Sequence, residues 1–152
     1  MKSQYSKDLL LIEPPKRLIA FDPGKATGWA IFQDGLPKDF GDIRGLSKLD
    51  DFLIALDDID FAVYEDFRLY SHKALQQSGS HMEASQAIGK IEIWAKMRKI
   101  ACIAQPANVL PVAQLWSKMK MPRNHDKSHH ISAYNHAVYY LVKNKMMLPV
   151  GI

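Results

Sequence analysis

The chain lacks several features that would place it in a specialised class of protein. It has one cysteine among 152 residues, so no internal disulfide can form, and the position of Cys102 in the apolar run "IACIA" indicates a small core residue. No apolar run has the length needed to cross a bilayer, and the first residues lack the apolar centre of a signal peptide. There is no internal repeat and no low-complexity tract. We therefore expect a globular protein without membrane contact in a reducing, cytoplasmic setting.

The charge balance permits a polyanionic partner without requiring one. The chain has 20 Lys and Arg against 16 Asp and Glu, a formal net charge of +4. The segment 118–127, "KMKMPRNHDK", holds four basic residues and one acid, whereas "LDDFLIALDDID" is acidic. If the protein binds nucleic acid, we expect the basic segment to face it and the acidic segment to face away.

Apolar runs and turn signals predict a mixed α/β domain. "RLIAFD", "TGWAIF" and a segment around "KDFGDI" predict a meander of three strands, with Asp34-Gly35 as the hairpin turn. "DFAVYEDF" and "IACIAQ" predict two further strands, each preceded by a helix, and two helices follow the last strand. We interpret residues 1–15 as a flexible N-terminal arm and residues 16–152 as one domain.

Helix-start signals accompany three of the predicted helices. Ser47 and Asp50 have the spacing of a capping box at the start of the first helix. Pro111 suits the first turn of the helix through "VAQLWSKMK", and Ser128 is the expected N-cap of the last helix.

Two acids stand at the ends of apolar strands. Asp22 ends the first strand and Glu65 ends the fourth. If these strands are parallel neighbours, both carboxylates meet at one edge of the sheet, where they repel each other unless a cation lies between them. Oxygen ligands without a cysteine cluster select Mg²⁺ or Mn²⁺ rather than zinc. Either acid alone is weak support, because single acids at strand ends are usually only solvated.

The start of the last helix supplies further polar side chains. Taken alone, they would be ordinary surface residues; together with the two acids they predict a site. The segment "NHDKSHHISAYNH" contains His125, Asp126, His129, His130, Ser132 and His136.

In this order, the segments resemble RuvC-type Holliday junction resolvases of the RNase H-like nuclease superfamily, in particular the small phage-encoded members. The resemblance rests on "LIAFDPGKATGWAIF", "FAVYEDF", "GSHMEASQAIGKIE" and "HISAYNHAVYYLV", and spans residues 17–145. It implies an RNase H-like fold, with a mixed five-stranded sheet and helices on both faces. It also implies a homodimer that cuts Holliday junctions or other branched DNA by two-metal-ion hydrolysis, with two Mg²⁺ or Mn²⁺ ions per active site.

The resemblance also implies roles for individual residues. Asp22 is the ligand shared by both metal ions, and Glu65 is the second ligand. Two donors three residues apart are expected at the start of the last helix, and those positions fall on His129 and Ser132. His129 either binds a metal ion or positions a water, and His136 is expected to orient a ligand or a water.

Ser132 departs from the pattern, because acids are usual there and a neutral hydroxyl is a poor ligand for Mg²⁺. Asp126 is expected to supply the missing charge from the preceding loop. The outcome is a shifted but working site, a site with one weak metal ion, or a chain that binds DNA without cutting it. We expect the first of these.

Several side chains are candidates for DNA contacts with little base specificity. Lys25 either contacts the scissile phosphate or is a solvated turn residue, and Tyr70 is expected to stack in the branch point, whereas Phe67 closes the core. Any one of the remaining cations is also compatible with an ordinary surface charge. These are Arg68, Lys73, Lys118, Lys120, Arg123 and Lys127.

Other functions remain open at this point. A fork- or flap-trimming phage nuclease uses the same acids, and a catalytically impaired branched-DNA-binding protein is compatible with Ser132. An actin-like or sugar-kinase ATPase also has a D-x-G turn, but it needs a second similar half for which 152 residues leave no room. Structural zinc is disfavoured because no thiol lies near the histidines.

Overall fold

The structure is a computed structural model that describes residues 10–66, 80–119 and 128–150, with only the backbone of residues 80 and 81. Within these ranges the strands and helices follow the predicted order. They are β1 (Arg17–Asp22), β2 (Ala26–Gln33), β3 (Leu36–Arg44), α1 (Leu46–Ala55), β4 (Phe61–Glu65), α2 (Ser80–Met97), β5 (Ala101–Gln105), a short 3₁₀ helix (Ala107–Val109), α3 (Leu110–Ser117) and α4 (His129–Lys143).

The strands form a mixed sheet in the order β3-β2-β1-β4-β5. β1 is antiparallel to β2, and β2 to β3, whereas β1, β4 and β5 run parallel. The predicted α/β class with a mixed five-stranded sheet is confirmed. Because β1 and β4 are parallel neighbours, their carboxyl ends meet at the same edge of the sheet.

Helices cover both faces of this sheet, as predicted. On one face, Ile19 and Phe21 of β1 pack with α1 and α2 in a core that includes Leu49 and Ile88. On the other face, Leu18 and neighbouring strand residues pack against the apolar side of α4. Successive residues of β1 therefore enter opposite cores, which is why "RLIAFD" reads as a continuous apolar run.

Local turn chemistry accounts for two of the element boundaries. Asp34 and Gly35 both have positive φ, 52° and 79°, as the predicted two-residue hairpin between β2 and β3 requires.

The predicted capping box at the start of α1 was wrong, because α1 begins before Ser47. Its N-cap is Gly45, with φ of 94°, and no side chain of the described residues makes a capping hydrogen bond to it. The Gly45 N–H instead donates to the Lys25 carbonyl.

The remaining terminal features agree in part with the sequence. Pro111 lies in the first turn of α3, as predicted. Ser128 occupies the N-cap of α4, but its side chain makes no capping hydrogen bond. Within the predicted arm, Ile12 donates its N–H to the Lys145 carbonyl oxygen at 2.7 Å, so this residue contacts the domain. Residues 1–9 lie outside the described residues, and the division into arm and domain stays a prediction. No helix in the described part of the chain is long and apolar enough to cross a membrane.

Candidate active site

One row of residues crosses all five strands at the edge where the parallel strands end. Asp22 pairs with Gly28 on β2, and Gly28 pairs with Asp42 on β3. On the other side, Glu65 stands one residue beyond the last β1–β4 pair, next to Asp22, and pairs with Gln105 on β5. We call Asp42, Gly28, Asp22, Glu65 and Gln105 the polar row. The first turns of α4 contact this row from one strand to the next.

Helix α4 approaches the polar row at Gly28, the residue of the row that has no side chain. A Cβ atom built on Gly28 would lie 2.0 Å from the carbonyl carbon of His129, where no real contact is possible. Only glycine therefore allows the backbone of α4 to lie against β2. This contact brings His129 beside Asp22, with His129 Nδ1 at 3.1 Å from Asp22 Oδ2.

A second contact ties the start of α4 to β3. Asp42 accepts the His130 backbone N–H at 2.9 Å and lies 2.7 Å from His130 Nδ1. The His130 ring stacks on Phe40 with 5.2 Å between ring centroids. The Asp42 carboxylate thus satisfies a backbone donor in the first turn of α4, where negative charge is favourable. A distant side chain has the capping role that was predicted for Ser128.

Further along α4, His136 reaches the other end of the polar row. Its Nε2 lies 3.0 Å from Glu65 Oε1, and its Nδ1 lies 3.0 Å from Gln105 Nε2. Residues 129, 132 and 136 follow one stripe of a helix, so Ser132 lies between the two histidines on the side that meets the row. The Ser132 side chain is 1% exposed, and its Oγ has no hydrogen-bond partner among the described residues.

The two carboxyl groups of the row are poorly solvated. Asp22 is 6% exposed and Glu65 is 2% exposed. Burial raises the pKa of Asp22 from 3.8 to about 6, with a further rise from the Glu65 charge and an opposing effect of His129. Burial likewise raises the pKa of Glu65 from 4.5 to about 7, opposed by its hydrogen bond with Asp22 and by the His129 charge. Without a cation, the pair resists double ionisation near neutral pH.

These side chains suit a hard divalent cation. Two neighbouring carboxyl groups supply oxygen ligands, and a cation beside them would remove the cost of ionising both. The buried Ser132 hydroxyl, which has no partner within residues 10–66, 80–119 and 128–150, is a polar atom that a water of such a cation would satisfy. Across residues 10–66, 80–119 and 128–150, no three His, Cys, Asp or Glu side chains form a ready metal-binding group. The described site therefore offers two carboxylates, and any further ligands of a cation would come from outside these residues.

An open cavity of about 590 Å³ adjoins His129. Two exposed cations stand at its wall: Lys25, in the turn after β1, and Arg44, at the end of β3. The acid Glu83 of α2 and the backbone near Ala26 and Gly45 complete the lining. A phosphate in this cavity would meet two positive charges beside His129, which itself contacts Asp22.

The structure brings together Asp22, Glu65, His129 and Ser132 of the predicted site. It also places Lys25 beside them, whereas Lys118 lies at the C-terminal end of α3 in a left-handed conformation. The other predicted residues fall outside the described ranges, and their roles stay predictions. These are Asp126, Arg68, Tyr70, Lys73, Lys120, Arg123 and Lys127, together with Phe67 and His125.

Sequence reasoning missed Asp42, Gln105 and Arg44 of this site. For Asp42 no local signal was available, because its partner His130 is 88 residues away. Gln105 ends β5 as Asp22 ends β1, and Arg44 ends β3. The available signal was the same for both: a polar residue closing a predicted strand, with Pro106 directly after Gln105. Only acids at strand ends were considered as candidate site residues, so the amide of Gln105 and the guanidinium of Arg44 were not predicted.

No protein-family model matches the chain, and no curated protein matches its sequence. Among solved structures, Thermus thermophilus RuvC in complex with a Holliday junction substrate is similar, with a TM-score of 0.60 and 12% identity. A further structure of Thermus thermophilus RuvC gives a TM-score of 0.59 and 12% identity. Each similarity covers 88% of this chain and 99% of the other. The chain has the α/β fold of RuvC, an RNase H-like fold.

Proposed function

We propose that the protein is a divalent-metal-dependent endonuclease that cuts branched DNA, with the Holliday junction as its first candidate substrate. The observation that carries this proposal is the buried pair Asp22 and Glu65 at the ends of two parallel strands. Each carboxyl group has a raised pKa, and each contacts a histidine of α4. The solved structure of RuvC with a Holliday junction supports the choice of substrate, since this chain shares its fold.

Asp22 and Glu65 would hold the cation, with Mg²⁺ or Mn²⁺ as the chemistry of the oxygens favours. When bound, such cations lower the pKa of a water and stabilise the leaving oxygen of a phosphodiester. The strands fix both carboxyl groups, because Asp22 and Glu65 end β1 and β4 beneath α4. Two ions per site, with Asp22 as the shared ligand, remain part of the proposal.

The remaining residues prepare the DNA for this pair. Lys25 and Arg44 would attract a backbone phosphate into the cavity beside His129. His129 holds Oδ2 of Asp22 by its Nδ1 and lines the same cavity, so it links the phosphate position to the carboxyl pair. These contacts reach phosphate rather than base edges, which fits recognition of DNA shape rather than sequence.

We also propose a homodimer that places two such sites on opposing strands of a junction. Helices α1 and α2 support this, since Ile54, Ile93 and Met97 are exposed around a groove beside Trp94. A phage origin and a role in DNA recombination or repair belong to the same proposal and rest on the sequence resemblance.

A branched-DNA-binding protein with impaired catalysis is the second candidate. Ser132 favours it, because this position contributes a neutral hydroxyl rather than a charged ligand. Asp126 would restore the missing charge if it reaches the site from the preceding loop. A nuclease that trims forks or flaps would use the same carboxyl pair on a different DNA shape.

A cleavage assay on three DNA shapes tests these candidates. A labelled four-way junction, a Y-fork and a linear duplex are each incubated with Mg²⁺, Mn²⁺ or EDTA. We expect metal-dependent paired nicks in the junction, weaker cutting of the fork and none in the duplex. Faster cutting of the fork would favour the trimming nuclease. Junction binding without cutting in either metal would favour the impaired protein and contradict the proposed function.

A further inference from the structure

Gln105 makes two contacts with His136 that together fix the protonation of the imidazole ring. Its Nε2 lies 3.1 Å from the His136 backbone carbonyl oxygen and 3.0 Å from His136 Nδ1. A carbonyl oxygen only accepts hydrogen bonds, so the Gln105 atom facing it must be the amide nitrogen. The same nitrogen faces Nδ1, and an amide nitrogen can only donate to it. His136 Nδ1 is therefore an acceptor and carries no proton.

A neutral imidazole with an acceptor at Nδ1 has its proton on Nε2. His136 Nε2 lies 3.0 Å from Glu65 Oε1, so it donates to that carboxyl oxygen. We infer that His136 is a positioning residue: Gln105 fixes its Nε2–H tautomer, and His136 then holds Oε1 of Glu65. Glu65 and Asp22 would then hold a cation together, and to that extent the inference rests on the proposed function.

The surroundings leave this arrangement no simple alternative. His136 is fully buried, and Gln105 and Glu65 are 6% and 2% exposed, so water cannot replace a lost contact. Turning the ring over would place carbon atoms where Gln105 and Glu65 now find nitrogen. Because Nδ1 accepts a hydrogen bond from Gln105, the ring carries a single proton and is neutral.

A neutral donor has a specific consequence for the cation. A Lys or Arg at this place would compensate the charge of Glu65 and compete with a metal ion. His136 orients the carboxylate but leaves its full negative charge for a cation. Such partners behind a ligand commonly change metal affinity by 10–100-fold when they are removed.

The variant Gln105→Met tests the inference, because methionine matches the length of glutamine but has no N–H donor. Ser117→Ala is the matched control, since it removes another buried hydrogen bond to α4, the one between Ser117 and Asn135. Mn²⁺ binding to the full chain is measured by titration calorimetry. We expect Gln105→Met to bind Mn²⁺ about tenfold or more weakly than the unaltered protein. Ser117→Ala should bind Mn²⁺ as the unaltered protein does.

A spectroscopic measurement tests the tautomer without any metal or DNA. Long-range ¹H–¹⁵N spectra of ¹⁵N-histidine-labelled protein show which ring nitrogen of His136 carries the proton. We expect Nε2–H alone in the unaltered chain and a loss of that single form in Gln105→Met. Because the unaltered chain alone decides the tautomer, this test does not depend on folding of the variant.

The outcomes separate the inference from the proposed function. A proton on His136 Nδ1, or equal Mn²⁺ affinity of Gln105→Met and Ser117→Ala, overturns the inference. The expected tautomer and the expected loss of Mn²⁺ affinity, in a protein that cuts no DNA, would support the inference and contradict the nuclease. A chain that binds no Mn²⁺ at all would overturn both.

Discussion

Gly28 and His129 stand in direct backbone contact, so close that a methyl group at position 28 would lie 2.0 Å from the His129 carbonyl carbon. The contact joins β2 to the first turn of α4, and it sets the distance between His129 and Asp22. The glycine-punctuated return after Asp22 in "FDPGKATGWAIF" is explained by this contact. The strand turns back beside Asp22, and Gly28 makes the room that α4 needs.

The Gly28–His129 contact predicts that Gly28→Ala is strongly destabilising. Overpacking against backbone that cannot give way costs about 3 kcal/mol or more. The control is Gly89→Ala in α2, where a new Cβ meets no heavy atom of the described residues within 4 Å and helix propensity favours alanine by about 0.5–1 kcal/mol. Urea unfolding of both variants checks this. A Gly28→Ala protein as stable as the unaltered chain would contradict the packing of α4 on β2.

The carboxyl pair predicts a pH-dependent gain in stability for Asp22→Asn without metal. The pKa of Asp22 is raised from 3.8 to about 6 in the folded protein, so the proton is bound more tightly there than in the unfolded chain. The stability that this proton supplies is complete below about pH 4 and is lost as the pH rises through about 6. A shift of this size corresponds to about 3 kcal/mol. Asparagine has no proton to lose and escapes this loss.

We therefore expect the free energy of unfolding of Asp22→Asn, relative to that of the unaltered protein, to increase by about 2–3 kcal/mol as the pH rises from about 4 to 8. His136 has the opposite pH dependence. Its pKa is lowered from 6.5 to about 4, so the stability that its neutral form contributes is lost as the pH falls through this range. It is present in both proteins, so its effect largely cancels in the comparison. Urea unfolding in EDTA at several pH values measures the difference, and added Mn²⁺ should reduce it. A difference that does not change with pH would refute the prediction.

The burial of Ser132 beside the carboxyl pair predicts that two substitutions change the stability of the metal-free protein in opposite directions. The Ser132 Oγ is buried and meets no hydrogen-bond partner in the part of the chain that the structure describes, so Ser132→Ala should raise the stability of the metal-free protein by up to about 1 kcal/mol. Ser132→Asp adds a third carboxylate beside two that already resist ionisation, so it should destabilise the metal-free protein near pH 8. The same variant should bind Mn²⁺ about tenfold or more tightly, because ligand charge sets affinity. Thermal unfolding in EDTA and in Mn²⁺ measures both effects. Unchanged Mn²⁺ affinity in Ser132→Asp would place Ser132 outside the metal site.

The cavity cations predict a change in the salt dependence of DNA binding. Each phosphate contact contributes about −0.9 to the slope of log affinity against log salt on duplex DNA. Lys25→Ala and Arg44→Ala should each reduce the steepness of that slope by about this amount. Lys96 near the end of α2 is the control, because it lies thirteen residues along the helix from Glu83, about 20 Å away. Fluorescence anisotropy with a four-way junction at several salt concentrations gives the slopes. Equal slopes for Lys25→Ala, Arg44→Ala and Lys96→Ala would mean that the cavity does not contact DNA phosphates.

The sequence predicts the sheet well because each strand is a local signal. "RLIAFD" and "FAVYE" are apolar runs closed by an acid, and a parallel arrangement brings those acids together without further information. The same locality explains the hairpin at Asp34 and Gly35. Elements whose signal lies within a few residues are therefore accessible from one sequence.

Contacts between distant segments were not accessible in this way. The α4 N-terminus is capped by Asp42, which is 88 positions from His130, rather than by the adjacent Ser128. The role of Gln105 depends on the position of His136, which lies 31 residues later on another element. No local pattern encodes such pairs. Predictions that fall on residues 67–79 and 120–127 remain predictions for a different reason, since those residues lie outside the described ranges.

The most direct test of the account compares two acids of the same polar row. Single-turnover cleavage of a labelled four-way junction in Mn²⁺ is measured for the unaltered chain, Asp22→Asn and Asp42→Asn. Asp22 would hold the cation, whereas Asp42 only ties α4 to β3 through His130. The account predicts metal-dependent cutting that Asp22→Asn lowers by about a thousandfold or more, as expected for loss of about 4 kcal/mol of transition-state stabilisation, and that Asp42→Asn lowers far less. Cutting that survives in Asp22→Asn, or no cutting by the unaltered chain, would contradict it.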